Sequence, residues 1–334
     1  MIAVEYLADL RKASQDPALA AVLAAAHAPF DRADWWDLLA RHCDITPCYL
    51  LARGSAGVAL LPLTSHGGVA RPLANWYTFR WQPLVSRGAD RTLLTASFRD
   101  LARKHWRIEL SQVPGEGDVA QGMVAALREA GWFATISPHD INHVLPVAGR
   151  DYATYLASRP GPLRSTLKRK GPRTACEVHT AFSPQAWADY EAIYAASWKG
   201  EEGSPAFLRA FAEVEGAAGR LRLGVGRIDG EPVAAQLWTV EAGTAFIHKL
   251  AYREEARSHS PGTALTAALM AHVIDRDRVD LVDFGTGDDP YKGDWMEQAR
   301  PRYRISAFWP CRPRAWPYLA RAALHCLAAA GRRG

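Results

Sequence analysis

Leu221-Arg222-Leu223-Gly224-Val225-Gly226-Arg227-Ile228 alternates as a strand does. Asp229-Gly230 follows it, a two-residue pair of the kind that closes hairpins, and Glu231 to Val240 returns. Glu241-Ala242-Gly243 makes a second tight connection into Thr244 to Ala251, so this part of the chain predicts an antiparallel meander of three strands. Downstream, a loop from Tyr252 to Ser260 feeds a helix that opens on Pro261-Gly262, proline suiting the first helical turn. Val279 to Phe284 reads as a short apolar strand. It is followed by Gly285-Thr286-Gly287-Asp288-Asp289-Pro290-Tyr291-Lys292, and Ile305 to Trp309 reads as a last strand.

Upstream the pattern is also mixed. Residues 1–46 read as helical, with an Ala-rich run at Ala18 to Leu23. Tyr49 to Ala52 and Gly57 to Leu63 read as a strand pair, Arg91 to Trp106 as a helix, Trp106 to Leu110 as a strand and Gly117 to Gly131 as a helix. After Val147 come helical stretches at Asp151 to Ser158, Pro162 to Lys170 and Pro184 to Trp198, the second ending in Lys168-Arg169-Lys170-Gly171-Pro172-Arg173. The class is α/β, α+β with a mixed sheet, and no fixed-period repeat is visible.

The 334 residues predict two domains at roughly 150 residues each. We place them at 1–146 and 147–310, with a basic tail at 311–334. Hydrophobic and charged fractions of 49% and 22% exclude wholesale disorder. The net charge is +5, but eight Arg and neither acid nor Lys follow Gln298, so the rest of the chain sums to −3. Five scattered cysteines (Cys43, Cys48, Cys176, Cys311, Cys326) without a Cys-x-x-Cys pair argue against a disulfide framework or a zinc site, and no metal is expected. No stretch has the ~18 uncharged apolar residues of a membrane span, and Glu5 and Asp9 do not suit a signal peptide. A cytoplasmic location is expected.

The order of elements resembles the core of GNAT-superfamily acyltransferases. Residues 147–310 are similar to the branch related to FemAB-type transferases and to acetyltransferases associated with cellulose biosynthesis. The matching stretches are Asp229 to Ala235, Phe246-Ile247-His248-Lys249-Leu250-Ala251-Tyr252, Ser260-Pro261-Gly262 and, above all, Asp283 to Lys292. The resemblance implies tandem GNAT-like halves, the first degenerate and the second carrying the complete catalytic fold. It implies an acyl-CoA co-substrate, no tightly bound cofactor, and an amine acceptor.

Under that resemblance the strands at Thr244 to Ala251 and Val279 to Phe284 part, and the donor's pantetheine lies between them. Freed backbone N–H groups then serve the thioester oxygen, and the pyrophosphate sits at the helix N-terminus with Arg257, Pro261, Gly262 and Thr263. One Gly stands where typical acetyl-CoA binders have two or three, so an acyl carrier protein or an aminoacyl-tRNA stays open as donor. His248 is the first candidate for general base, read as sharing a strand face with Phe246 and Leu250; the alternative is a core histidine. Asp288 is the competing base, or a turn and N-cap residue. Tyr291 stands where GNAT enzymes place the acid that protonates the thiolate. Trp198, Lys249, Asp283 and Lys292 are candidate substrate contacts, and the Trp198 to Gly203 loop either lines the acceptor side or simply ends a helix.

Asn75-Trp76-Tyr77-Thr78-Phe79-Arg80-Trp81 is read either as a cavity wall between the halves or as core. Trp316, Leu319, Ala323, Leu324 and Leu327 form an apolar helical face flanked by Arg314, Arg321, Arg332 and Arg333. It suits peripheral contact with an anionic inner membrane surface, or docking on the fold; no nucleic-acid partner is expected. The favoured function is an acyl-CoA-dependent N-acyltransferase, with a long-chain, sphingoid-type lipid amine as acceptor, as in bacterial ceramide synthesis. The alternatives are a FemAB-type aminoacyl-tRNA-dependent transferase, an acyltransferase acting on a peptide or exopolysaccharide amine or hydroxyl, and a binding protein that keeps the shell without catalysis.

Overall fold

A computed structural model describes residues 1–10 and 15–321. The chain divides into two contact-dense units. One is Met1–Asp140 together with the chain from Arg300, and the other is Ile141–Ala299. The sequence boundary at 147 thus falls six residues past the change of unit. The closing strand, read as part of the second half, lies chiefly in the first.

The first unit contains β1 (Ala3–Leu7), α1 (Pro17–Ala24), α2 (Ala33–His42), β2 (Pro47–Gly54), β3 (Gly57–His66), β4 (Val69–Pro72), β5 (Leu84–Val85), α3 (Thr92–Leu101), β6 (Arg107–Pro114), α4 (Val119–Glu129) and β7 (Phe133–Pro146) as far as Asp140. The expectation of helix throughout residues 1–46 is corrected at its start: Ala3–Leu7 is a strand, paired antiparallel with β2 through Ala3↔Arg53 to Leu7↔Tyr49. Tertiary pairing overrides the local signal there. α3 and α4 cover a core of Leu50, Leu61, Phe98, Leu110, Met123, Leu127 and Ile305.

β4 and β6 run parallel for two residue pairs, Val69↔Arg107 and Ala70↔Ile108. Beyond them Trp81 ties the neighbours together. Its indole N–H donates to the Pro62 carbonyl at 2.7 Å and its main-chain N–H to the Gln112 carbonyl at 2.9 Å. Of the aromatic segment, Tyr77, Phe79 and Trp81 are buried in this unit and Trp76 is exposed. The segment is mostly core.

The second unit contains the rest of β7, α5 (Tyr152–Ala157), α6 (Gly161–Lys170), β8 (Ala175–His179), α7 (Pro184–Ala195), α8 (Pro205–Ala217), β9 (Leu221–Ile228), β10 (Glu231–Glu241), β11 (Thr244–Tyr252), α9 (Pro261–Ala271), β12 (Leu281–Thr286) and α10 (Pro290–Trp295), and the first residues of β13 (Gln298–Phe308). Its strand order is β7-β12-β11-β10-β9-β8, with β11 and β12 parallel and the other pairs antiparallel. Both hairpin turns adopt left-handed backbone at two successive residues, Asp229 and Gly230 (φ 51° and 86°) and Ala242 and Gly243 (φ 45° and 73°). That is the type I′ signature, whose twist matches the strands it joins.

α9 lies on one face, where Leu265 and Leu269 join Ala234, Trp238, Ala245 and Ile247. α7 and α8 serve the other face, through Tyr194 against Lys249 and Phe211 against His248. Among the described residues no helix is long and apolar enough to cross a membrane. The described part of the tail is helical at 316–321, with Trp316 exposed and Tyr318 stacked on Phe308 at 5.2 Å. Ala323, Leu324, Leu327, Arg332 and Arg333 lie outside the described residues.

Candidate active site

β11 and β12 are joined at three positions only, Thr244↔Leu281, Ala245↔Val282 and Phe246↔Asp283. β11 continues to Tyr252 and β12 to Thr286, but their ladder stops there. Past Phe246, β11 keeps β10 as its partner on the other edge. The cause on the β12 side is local. Asp283, buried, accepts from the Gly285 N–H at 2.8 Å and from Asn142 Nδ2 at 3.0 Å. The register against β7 shifts between Asp283 and Thr286, and Gly285 (φ 71°) takes the left-handed turn this requires. Asp283 therefore shapes the strand end.

On the β11 side the pairing with β10 skips from Leu237↔Lys249 to Trp238↔Ile247, leaving His248 as the extra residue of a bulge. The bulge revises the simple alternation. Leu250 turns to the α9 face with Ile247, whereas His248 and Lys249 both face α7 and α8. His248 Nε2 is 2.8 Å from Thr239 Oγ1, and its ring stands edge-on to Phe211 at 5.0 Å.

Lys249 Nζ pairs with Glu202 Oε1 at 2.7 Å, both side chains at 14% exposure or less, and is 3.5 Å from the Tyr194 hydroxyl. The Tyr190 hydroxyl donates to Glu202 Oε2 at 3.3 Å. Glu202 also lines a cavity of about 620 Å³, together with Trp187, Tyr190, Tyr194, Lys199, Pro205 and Leu208. Burial, then the Lys249 charge, push the Lys199 amine down to about 8, against the opposing pull of Glu202 and Asp289. The sequence reading named the loop that carries Lys199 and Glu202 but gave neither a role of its own, and it named neither Tyr190 nor Tyr194; the pairing with Lys249 has no local signal. Trp198 lines no part of the cavity; it is half exposed and stacks on Tyr252 at 4.3 Å.

At the end of β12, Lys292 is buried and its Nζ donates to the Thr286 carbonyl, with Asp289 Oδ2 at 4.0 Å. Tyr291 lies edge-on to Phe284 at 5.6 Å. Tyr291 is 42% exposed; partial desolvation first and the Asp289 charge second push its hydroxyl up to about 12, so it stays protonated at neutral pH. Asp288 is at the surface with 73% of its side chain exposed, 3.2 Å from His143 Nε2; its carboxylate is away from the cavity lining.

At the start of α9, Ser260 is left-handed (φ 55°) and its side chain does not cap the helix. Instead its Oγ accepts from Lys170 Nζ at 3.3 Å, so the basic end of α6 meets this helix terminus. Pro261 and Gly262 are buried, and Thr263 is half-buried. A Cβ on Gly262 would stand 3.0 Å from the Tyr252 ring, so here the glycine makes room for Tyr252. Arg257 is largely exposed and pairs with Glu254 at 3.0 Å. Among the described residues no cluster of His, Cys, Asp and Glu suits a metal ion.

Residues 162–293 match the model of a family described as an acetyltransferase (GNAT) domain. No curated protein matches the chain in sequence. Among solved structures the chain resembles L-PGS from Bacillus licheniformis (TM-score 0.59, 13% identity, covering 94% of this chain and 97% of that one). It also resembles FemX (0.58, 10%, 82% and 90%). A third likeness is to a tandem GNAT protein from the clavulanic acid biosynthesis pathway (0.55, 14%, 92% and 98%). At these identities the likeness is one of fold, and the fold is a pair of GNAT-like halves.

Proposed function

We propose, from the premise that residues 162–293 form the GNAT domain of an acyltransferase, that the protein moves an acyl group from acyl-CoA to an amine, and that the amine belongs to a long-chain, sphingoid-type lipid. The observation that carries this reading is the parting of β11 and β12 after Phe246 and Asp283. A strand edge released from its partner offers N–H groups to a thioester oxygen, where they stabilise the charge that develops on attack. The donor's phosphates belong at the start of α9, where uncapped N–H groups meet Lys170. Tyr291 keeps its proton and delivers it to the leaving thiolate. Pro261, Gly262 and Thr263 hold the donor through backbone, Arg257 adds charge at the rim, and Lys292 fixes the strand end beside the thioester.

A lipid acceptor is supported by the aromatic walls of the cavity that Glu202, the partner of Lys249, helps to line and by the exposed Trp316 in the basic tail, suited to peripheral membrane contact. The test is incubation of purified protein with long-chain acyl-CoA and sphinganine, read by mass spectrometry. The amide is expected; its absence while another amine is acylated removes the lipid acceptor. The second reading, transfer from aminoacyl-tRNA, draws on the same Lys168–Arg173 run at α9. Activity that survives ribonuclease excludes it.

A further inference from the structure

Lys199 lines the aromatic cavity, yet among the described residues its amine has neither a hydrogen bond nor an ion pair. The groups around it are otherwise engaged: Lys249 with Glu202, Glu202 with Tyr190, and Glu191 with the Trp187 indole at 2.9 Å. Its nearest organised contact is the Trp198 ring, 5.7 Å from Nζ. A lysine left without a partner beside a cavity faces whatever the cavity takes in.

Its position relates to both arms of the opening. Lys249 belongs to β11, three residues past the last pair with β12, and its partner Glu202 is in the loop of Lys199. Asp289, on the connection that leaves β12, and Lys292, in α10, also act on the Lys199 charge. The groups facing it are therefore Lys249 from β11, Glu201 and Glu202 from its own loop, Tyr190, Glu191 and Tyr194 from α7, and Asp289 and Lys292 after β12.

We propose that Lys199 is the general base of the transfer, taking the proton that the acceptor nitrogen sheds, and that the cavity it lines is the acceptor's pocket. This rests on the acyl-transfer reading above. The acceptor attacks as a neutral amine: its lone pair forms the C–N bond, the C–S bond breaks, and the thiolate takes the Tyr291 proton. The surplus proton on nitrogen passes to the neutral Lys199 amine, and the resulting ammonium returns it through solvent to the Tyr291 phenolate. The products are an amide and a free thiol, and the protein is restored. Desolvation and the Lys249 charge bring the amine down to about 8, within reach of the range in which a base is both unprotonated and strong enough to act.

The first experiment is independent of any acceptor. Competitive labelling of the intact protein's lysines with acetic anhydride, from about pH 6 to about pH 10, is read for each lysine by mass spectrometry. Lys199 should titrate near 8, about two units below ordinary lysines; titration with the others overturns the proposal. The second uses Lys199→Arg and Lys199→Met in thiol-release assays with the amine that wild type acylates. Arginine keeps the charge but cannot act as a base. Both variants should lose about 100-fold in kcat with the KM for acyl-CoA unchanged. Wild-type kcat in Lys199→Arg would mean that Lys199 only holds an anion, and would overturn the proposal. If wild type acylates no amine, the acyl-transfer reading fails, and the pocket proposal falls with it whatever Lys199's titration shows.

Discussion

Phe246 and Asp283 are the last residues at which β11 and β12 stand side by side. Past them one strand is bent by the His248 bulge and the other by the Gly285 turn. Two deformations on opposite sides of one seam produce an opening from strands that would otherwise continue as a ladder.

Asp283→Ala tests the β12 half of that arrangement. It strands the Gly285 N–H and the fully buried Asn142 amide, costing about 2–3 kcal/mol. Chemical denaturation should register the loss, and kcat/KM for the donor should fall with it. Unchanged stability would show that Asp283 does not hold the turn.

Glu202→Gln should destabilise the protein by about 3 kcal/mol, because it leaves the nearly buried Lys249 ammonium uncompensated. The double variant Glu202→Leu/Lys249→Met should recover most of that loss, the buried charge then being gone. A denaturation cycle over the single and double variants reads the coupling; additivity would contradict the pair.

Tyr291→Phe should lower kcat by about 100-fold while leaving the KM for the donor unchanged. The sign of the pH effect follows from its raised value of about 12. The hydroxyl is protonated throughout the ordinary assay range, so the wild-type rate should show no alkaline decline from this group below about pH 11. A decline near pH 9 that disappears in Tyr291→Phe would contradict its assignment.

Glu297 governs a stability limb at low pH. Arg150, bonded at 2.8 and 2.9 Å, holds its carboxyl below the usual range, with Arg159 adding to the effect. A depressed folded-state value gives stability that is present above the unfolded value of about 4.3 and lost as pH falls through the folded one. Thermal unfolding of Glu297→Gln should therefore be less steeply dependent on pH below about 4.3 than that of wild type.

The meander was legible because its signals are local: period-two alternation and the Asp229-Gly230 turn. The opening between strands followed from the resemblance carried by Asp283 to Lys292. The bulge was not legible, since Phe246 to Tyr252 continues an even strand pattern and only pairing with Leu237 and Trp238 ejects His248. The Glu202–Lys249 pair joins residues far apart in sequence, which no spacing rule reaches. Ala3–Leu7 looked helical beside an Ala-rich neighbour and is a strand because β2 offers it an edge. The closing strand was found, but not its unit, because its antiparallel partner is β6 of the first unit.

The most direct measurement is a crystal structure with a non-hydrolysable long-chain acyl-CoA analogue. The account predicts the pantetheine between β11 beyond Phe246 and β12 beyond Asp283, the phosphates at the start of α9, and the sulfur next to Tyr291. An analogue bound elsewhere, or the two strands paired to their ends with no analogue between them, would contradict it.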